Sequence, residues 1–162
     1  MPRRAWLPIA ALSVLVVASA AGIVVSERDV GTQTLVVEDA TDGTELLAVA
    51  VEPGSEVAIE YTHSVERTPV VDVYTVDDGE LVMTRSEFQS FGAGLPSRAD
   101  VALEDGVFVY EPPPKRYAQL TVATGHIADH DLVVDGERYD LAALADGESI
   151  TLDLEHRLFH GL

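Results

Sequence analysis

The chain has 162 residues, 28 Asp and Glu against 10 Lys and Arg, a formal charge of −18 and no cysteine. Such a charge balance repels nucleic-acid phosphates and anionic lipid headgroups, so nucleic acid is excluded as a partner. The missing cysteines exclude disulfide stapling and lipid attachment through an N-terminal Cys, and the length fits one domain with a short appendage.

Ala5 to Val25 carries no charge and is about the twenty residues that a bilayer-crossing helix needs. Arg3 and Arg4 precede it while Glu27 and Asp29 follow, which keeps the N-terminus cytoplasmic and sends the rest outward as a single-pass protein of the cell membrane. Ala18-Ser19-Ala20 offers a small-residue cleavage pattern, the mark of a removable signal peptide, but the apolar run is longer than most signal cores and favours an uncleaved anchor. Residues 1–26 are thus the expected membrane segment, 27–33 a polar stalk, 34–155 the folded domain and 156–162 a tail. All 28 acidic residues lie at or after Glu27, against eight basic ones, a net −20. With Lys115 the one lysine, this composition resembles that of extreme halophiles, and most carboxylates read as solvated surface screened by molar salt.

Strand signals fill the folded part. Thr34 to Glu38 is β-rich, Asp42-Gly43 marks a turn, and Glu45 to Glu52 is the return strand, broken by Pro53-Gly54-Ser55. Val57, Ile59, Tyr61, His63 and Val65 then alternate with Ala58, Glu60, Thr62, Ser64 and Glu66 in a period of two. Pro69 opens a strand over Val70 to Val76, and Asp77-Asp78-Gly79 turns it into Leu81 to Phe91. Gly92-Ala93-Gly94-Leu95-Pro96 ends that strand in a loop with freedom for close backbone approach. Asp105-Gly106 separates Val101 to Leu103 from Val107 to Tyr110. Pro112-Pro113-Pro114 is a stiff extended piece expected to cross from one sheet to the other. Tyr117 to Thr124, Asp131 to Val134, Glu137 to Leu141 and Ser149 to Leu154 complete the set, with a helical turn or two at Leu141 to Ala145. Short strands at this spacing predict an all-β fold, an antiparallel β-sandwich of immunoglobulin-like type or a small barrel, behind the N-terminal transmembrane helix.

Chemistry concentrates around Tyr61 to Tyr74 and Ser90 to Pro96. His63 and Ser64 are adjacent, so on a strand they point to opposite faces and cannot act as base and nucleophile. A hydrolase using His63 would need Ser86, Ser90 or Ser97, none of which sits in a nucleophile-elbow sequence. If the strands flanking Val65 to Pro69 pair, His63 falls nearly opposite Asp72, and His63, Glu66, Asp72 and Glu87 could hold a divalent cation. His126 with His130, and His156 with His160, have a spacing that ligates only on a helix. The expected site is one polar, ligand-binding cluster at an end of the sandwich: His63, Ser64, Glu66, Asp72, Glu87 and Ser90, closed by Gly92, Ala93 and Gly94. The bland alternative is a partly buried His63 that merely clasps a loop. No cofactor and no catalytic set are expected.

The run from Tyr61 to Tyr74, followed by Phe88-Gln89-Ser90-Phe91-Gly92-Ala93-Gly94-Leu95-Pro96, resembles the signature of the uncharacterised family DUF1850, with the order of elements similar from Leu35 to Leu154. Asp72 stands where the family pattern usually has glutamate. The resemblance implies a short exported or membrane-anchored protein, an accessory to solute uptake beside TRAP transporter subunits of the TAXI type. A cell-surface module that binds a small ligand or a metal is the alternative.

Overall fold

The computed structural model describes residues 32–90, 101–125 and 127–157. The expected membrane segment, with Ala5 to Val25 and Ala18-Ser19-Ala20, lies outside them. Twelve strands and one helical turn make up the described part: β1 Thr32–Asp39, β2 Glu45–Val51, β3 Glu56–Thr62, β4 Pro69–Asp77, β5 Glu80–Phe88, β6 Ala102–Glu104, β7 Val107–Tyr110, β8 Lys115–Tyr117, β9 Gln119–Ala123, β10 Asp131–Val134, β11 Glu137–Asp140, α1 Leu141–Leu144 and β12 Ser149–Arg157. β1 therefore begins inside the expected stalk, and β12 runs two residues into the expected tail.

The hairpins form where local chemistry demands them. Asp78-Gly79, Asp105-Gly106 and Asp135-Gly136 each have both φ angles positive, the two-residue turn whose twist matches that of the flanking strands. They join β4 to β5, β6 to β7 and β10 to β11. At Asp42-Gly43 the glycine takes positive φ and the aspartate does not. The β1–β2 loop is instead held by Asp39, whose carboxylate accepts from the amides of Thr41 at 2.7 Å and Asp42 at 3.3 Å. α1 is a single turn whose start is capped by the Asp140 carboxylate, which accepts from the Ala143 amide at 2.8 Å.

All the pairings are antiparallel. One sheet has the order β2-β1-β12-β9; the other has eight strands, β11-β10-β3-β4-β5-β7-β6 with β8 also on β5. The fold is a β-sandwich, and its core fills the space between the sheets. Leu35, Val37, Ile150 and Leu152 of the smaller sheet share this cluster with Val57, Ile59, Tyr74, Val76, Leu81, Leu132 and Val134 of the larger, and Leu141 of α1 joins them. The three prolines do not make the crossing: β7 before them and β8 after them both pair with β5. The chain changes sheets at Ala118, between β8 and β9, because its stiff proline segment only carries it along β5.

The back of the large sheet is finished differently. Val73 lies opposite Arg85, Val82 opposite Arg116 and Val133 opposite Arg138, with Val73 and Val82 buried. An arginine stem can cover apolar surface while its guanidinium stays wet. Each guanidinium also meets carboxylates: Arg85 with Glu87, Arg116 with Asp77 and Glu80, Arg138 with Glu60 and Asp131. Three of the scarce cations of an acidic chain thus stand across from valines and are tied to carboxylates.

Candidate functional site

Six residues, His63 to Thr68, connect β3 to β4, and the four from Ser64 to Arg67 form the turn between the hydrogen-bonded His63 and Thr68. The His63 amide donates to the Thr68 carbonyl at 2.8 Å and the Arg67 amide to the His63 carbonyl at 2.9 Å. Arg67 closes the loop with φ of 57°, a conformation that costs a residue with a Cβ about 1 kcal/mol. The buried His63 ring folds back over this loop. Its Nδ1 accepts from the amides of Val65 at 3.3 Å and Glu66 at 3.1 Å, as an Asn or Asp side chain caps a helix start. An accepting Nδ1 places the ring proton on Nε2. The turn is therefore held from inside, and its outer residues Ser64, Val65, Glu66 and Arg67 face solvent, Val65 with 70% exposure. Thr68 Oγ1 lies 3.0 Å from Ser90 Oγ, fastening the hairpin to the chain leaving β5.

The register separates the expected cluster. The loop length pairs Thr62 with Pro69 and Ile59 with Asp72, so Asp72 is displaced by four residues along the hairpin from the expected position opposite His63. Asp72 shares the inner face with Ile59 and Ser86. Ser86 Oγ donates to Asp72 Oδ1 at 2.6 Å, and the Tyr61 hydroxyl lies 3.4 Å from Oδ2. Burial raises the Asp72 carboxyl above the usual carboxylate range, against the lowering effect of these two hydroxyls. Burial, with the Asp72 charge beside it, pushes the Tyr61 phenol up to about 12. Ser86 is thus a donor to Asp72, where the sequence had made it a possible nucleophile. Glu87 faces the opposite side of the sheet, opposite Val71 and Val109, in an ion pair with Arg85 at 2.7 Å. Ser64, Glu66 and His63 share the turn, Ser90 touches it through Thr68, and Asp72 and Glu87 belong to two other places. Gly92, Ala93, Gly94, Ser97, His126 and His160 lie outside the described residues. Among the described residues no three His, Asp or Glu side chains are placed to hold a metal ion.

Sequence reasoning named a second imidazole, His130, only for its spacing from His126. His130 is buried, stacks on Tyr61 with ring centroids 5.1 Å apart, and donates from Nδ1 to the Thr124 carbonyl at 3.1 Å. Burial lowers its pKa, only partly offset by that hydrogen bond and by Asp129. The Thr62 amide donates to the Ala128 carbonyl at 2.7 Å, so the loop before β10 lies against the His63 hairpin. Between them runs an open groove of about 190 Å³ lined by Glu60, Tyr61, Thr62, Pro69, Val70, Val71, Asp129 and Asp131. A four-residue turn fixes the pairing sum of a hairpin and puts Asp72 opposite Ile59, but no turn signature between Ser64 and Arg67 announces that length.

No curated protein and no solved structure matches this chain. A family model described as a domain of unknown function, DUF1850, matches residues 57–141. That stretch runs from the second residue of β3 to the start of α1 and contains the eight-stranded sheet apart from Glu56, the His63 turn, and Asp72 with its partners Ser86 and Tyr61. It is shorter than the Leu35 to Leu154 span of the sequence resemblance, for β1, β2 and β12 of the smaller sheet fall outside it. With more than half of its length matched, the chain belongs to the DUF1850 family.

Proposed function

We propose that the protein is a membrane-anchored extracytoplasmic accessory of solute uptake, working beside TRAP transporter subunits of the TAXI type, and that the His63 turn is its docking element. One observation carries this reading: the imidazole fixes a turn whose apolar tip, Val65, points into solvent. A group that accepts two backbone amides on Nδ1 is poorly placed to serve as a general base through that atom. A rigid exposed turn, by contrast, meets a partner with little loss of conformational entropy. Ile127, 67% exposed, sits beside Ala128 on the loop that bonds the start of this hairpin at Thr62. The anchor reading rests on Ala5 to Val25 and its flanking charges. Among the described residues no helix is long and apolar enough to cross a membrane.

A second reading, a surface module for a small ligand, is favoured by the groove lined with Glu60, Asp129 and Asp131. Purification of the tagged full chain from detergent-solubilised membranes of its own cells separates the two. The accessory reading expects the transporter subunits in the eluate at near-stoichiometric amounts. Their absence, with a small cation or solute retained instead, would favour the ligand module. Protease added to intact cells should also remove the β domain.

A further inference from the structure

We propose that His130 is an acid-released latch. With one ring proton it holds the loop carrying Ala128 and Asp129 against the His63 hairpin; with two it lets that loop go, widening the groove between them. The chain on either side of the loop is fixed. Thr124, before it, is fully buried, and its hydroxyl donates to the Glu148 carbonyl at 2.5 Å. After it, the His130 carbonyl accepts from the amides of Leu141 at 3.0 Å and Ala142 at 3.2 Å. Two ties among the described residues bind what lies between to the hairpin: the His130 ring stacked on Tyr61, with 19° between the planes, and the Thr62 amide bonded to the Ala128 carbonyl at 2.7 Å. Asp129 of the loop and Tyr61, Thr62 and Pro69 of the hairpin all line the groove, so a movement of this loop changes access to it.

His130 is 7% exposed. Its Nδ1 already donates to the Thr124 carbonyl, so a second proton goes to Nε2, which has no acceptor in place among the described residues. A charge on a ring this buried is costly until water reaches it, and water reaches it when the ring leaves its stack. The surrounding groups do not reverse this. β3 brings Tyr61, whose phenol burial pushes up to about 12 and keeps neutral, and Glu60, which with Asp131 of β10 is held by Arg138 of β11. β4 brings Asp72 behind the Tyr61 hydroxyl, itself raised by burial. Asp140 caps α1 at the Ala143 amide, and Glu148, exposed, meets Thr124 through its carbonyl. Asp129 draws the ring's pKa upward, but burial outweighs it and holds the ring below the ordinary histidine range. A histidine lowered in this way leaves the closed state untouched above the unfolded value near 6.5 and weakens it as pH falls below that value. Asp72 has the opposite sign, since its proton favours the folded state. Acid thus loosens this loop while it eases the core.

Backbone hydrogen exchange reads the two regions separately. The full chain, in detergent at molar salt, is followed by NMR from about pH 7.5 to about pH 5, across the ordinary histidine pKa near 6.5, with each rate divided by the intrinsic rate at that pH. The Thr62 amide should lose protection by about three- to tenfold, tenfold being the change that one pKa unit allows, while amides of β1 and β12 keep theirs. The midpoint of that loss should coincide with the titration of the His130 ring, followed on its Cε1 proton in the same samples. His130→Gln and His130→Phe, which cannot ionise, should show no such loss. An unchanged Thr62 amide, a loss shared by β1 and β12, or a midpoint apart from the ring's own titration would each overturn the latch, as would the same loss in either folded variant.

Discussion

Asp72 and His63 show how a neighbourhood, rather than a residue type, decides what a side chain does. Asp72 is a carboxylate on the inner face of a sheet, and its raised pKa means that the folded state holds a proton more tightly than the unfolded chain. The ionised form therefore costs stability above the folded pKa, and the cost fades as pH falls towards the unfolded value near 3.9. Asp72→Asn should raise the chemical-denaturation midpoint at neutral pH, and its advantage over the parent should shrink steadily on acidification. A constant difference between the two at every pH would refute this. His63 makes a separate demand. Removing the acceptor for two amides in His63→Ala should cost roughly 1–3 kcal/mol, whereas His63→Asn, whose carbonyl can take over the Nδ1 role, should lie within about 1 kcal/mol of the parent. Equal losses in both would mean that the ring stabilises the protein through something other than its Nδ1. The clasp at His63 was legible in the residue string as the alternative to a ligand site, whereas Asp72 was read as a ligand candidate because its inward face depends on a register that letters do not print.

At the scale of elements, the turn chemistry was readable and the register was not. Asp-Gly at 78, 105 and 135 prescribes positive φ at both positions, and the hairpins follow. The β3–β4 hairpin lacks such a signature. Its four-residue turn closes through Arg67 in the left-handed region, which nothing in an arginine announces, and the expected pairing of His63 with Asp72 failed there. The same strain gives a test: Arg67→Gly should raise stability by about 0.5–1 kcal/mol if the loop keeps its shape. A loss in thermal unfolding would show that the Arg67 side chain contributes more than its backbone costs. The three prolines misled for a related reason. They were read correctly as stiff and extended, but stiffness says nothing about which sheet receives the next strand, and β8 stays on β5 before Ala118 makes the crossing.

For the whole molecule, charge is the dominant condition. Arg85, Arg116, Arg138 and Arg157 are each spent against carboxylates, but surface pairs of this exposure contribute little each and leave a large negative excess. Stability should therefore climb as salt is raised from millimolar to molar concentrations and the Debye length falls to about 3 Å. Circular dichroism across that range would show it, and an unchanged midpoint would remove the role given to repulsion. The sandwich itself was legible from strand spacing, while the division into a four-stranded and an eight-stranded sheet was not, because it depends on long-range pairings such as β1 with β12. Of the candidate site, the string named the hairpin that holds His63, Ser64 and Glu66 but neither the groove beside it nor the stacking of Tyr61 on His130. In the proposed function this hairpin presents its tip to a partner. Val65→Asp in the full chain, purified beside the parent from native membranes, tests it most directly, since a residue this exposed can be changed with little effect on folding. An unchanged melting temperature with loss of the co-purifying transporter subunits is expected; subunits retained at the parent's level by a normally folded Val65→Asp protein would rule the docking role out.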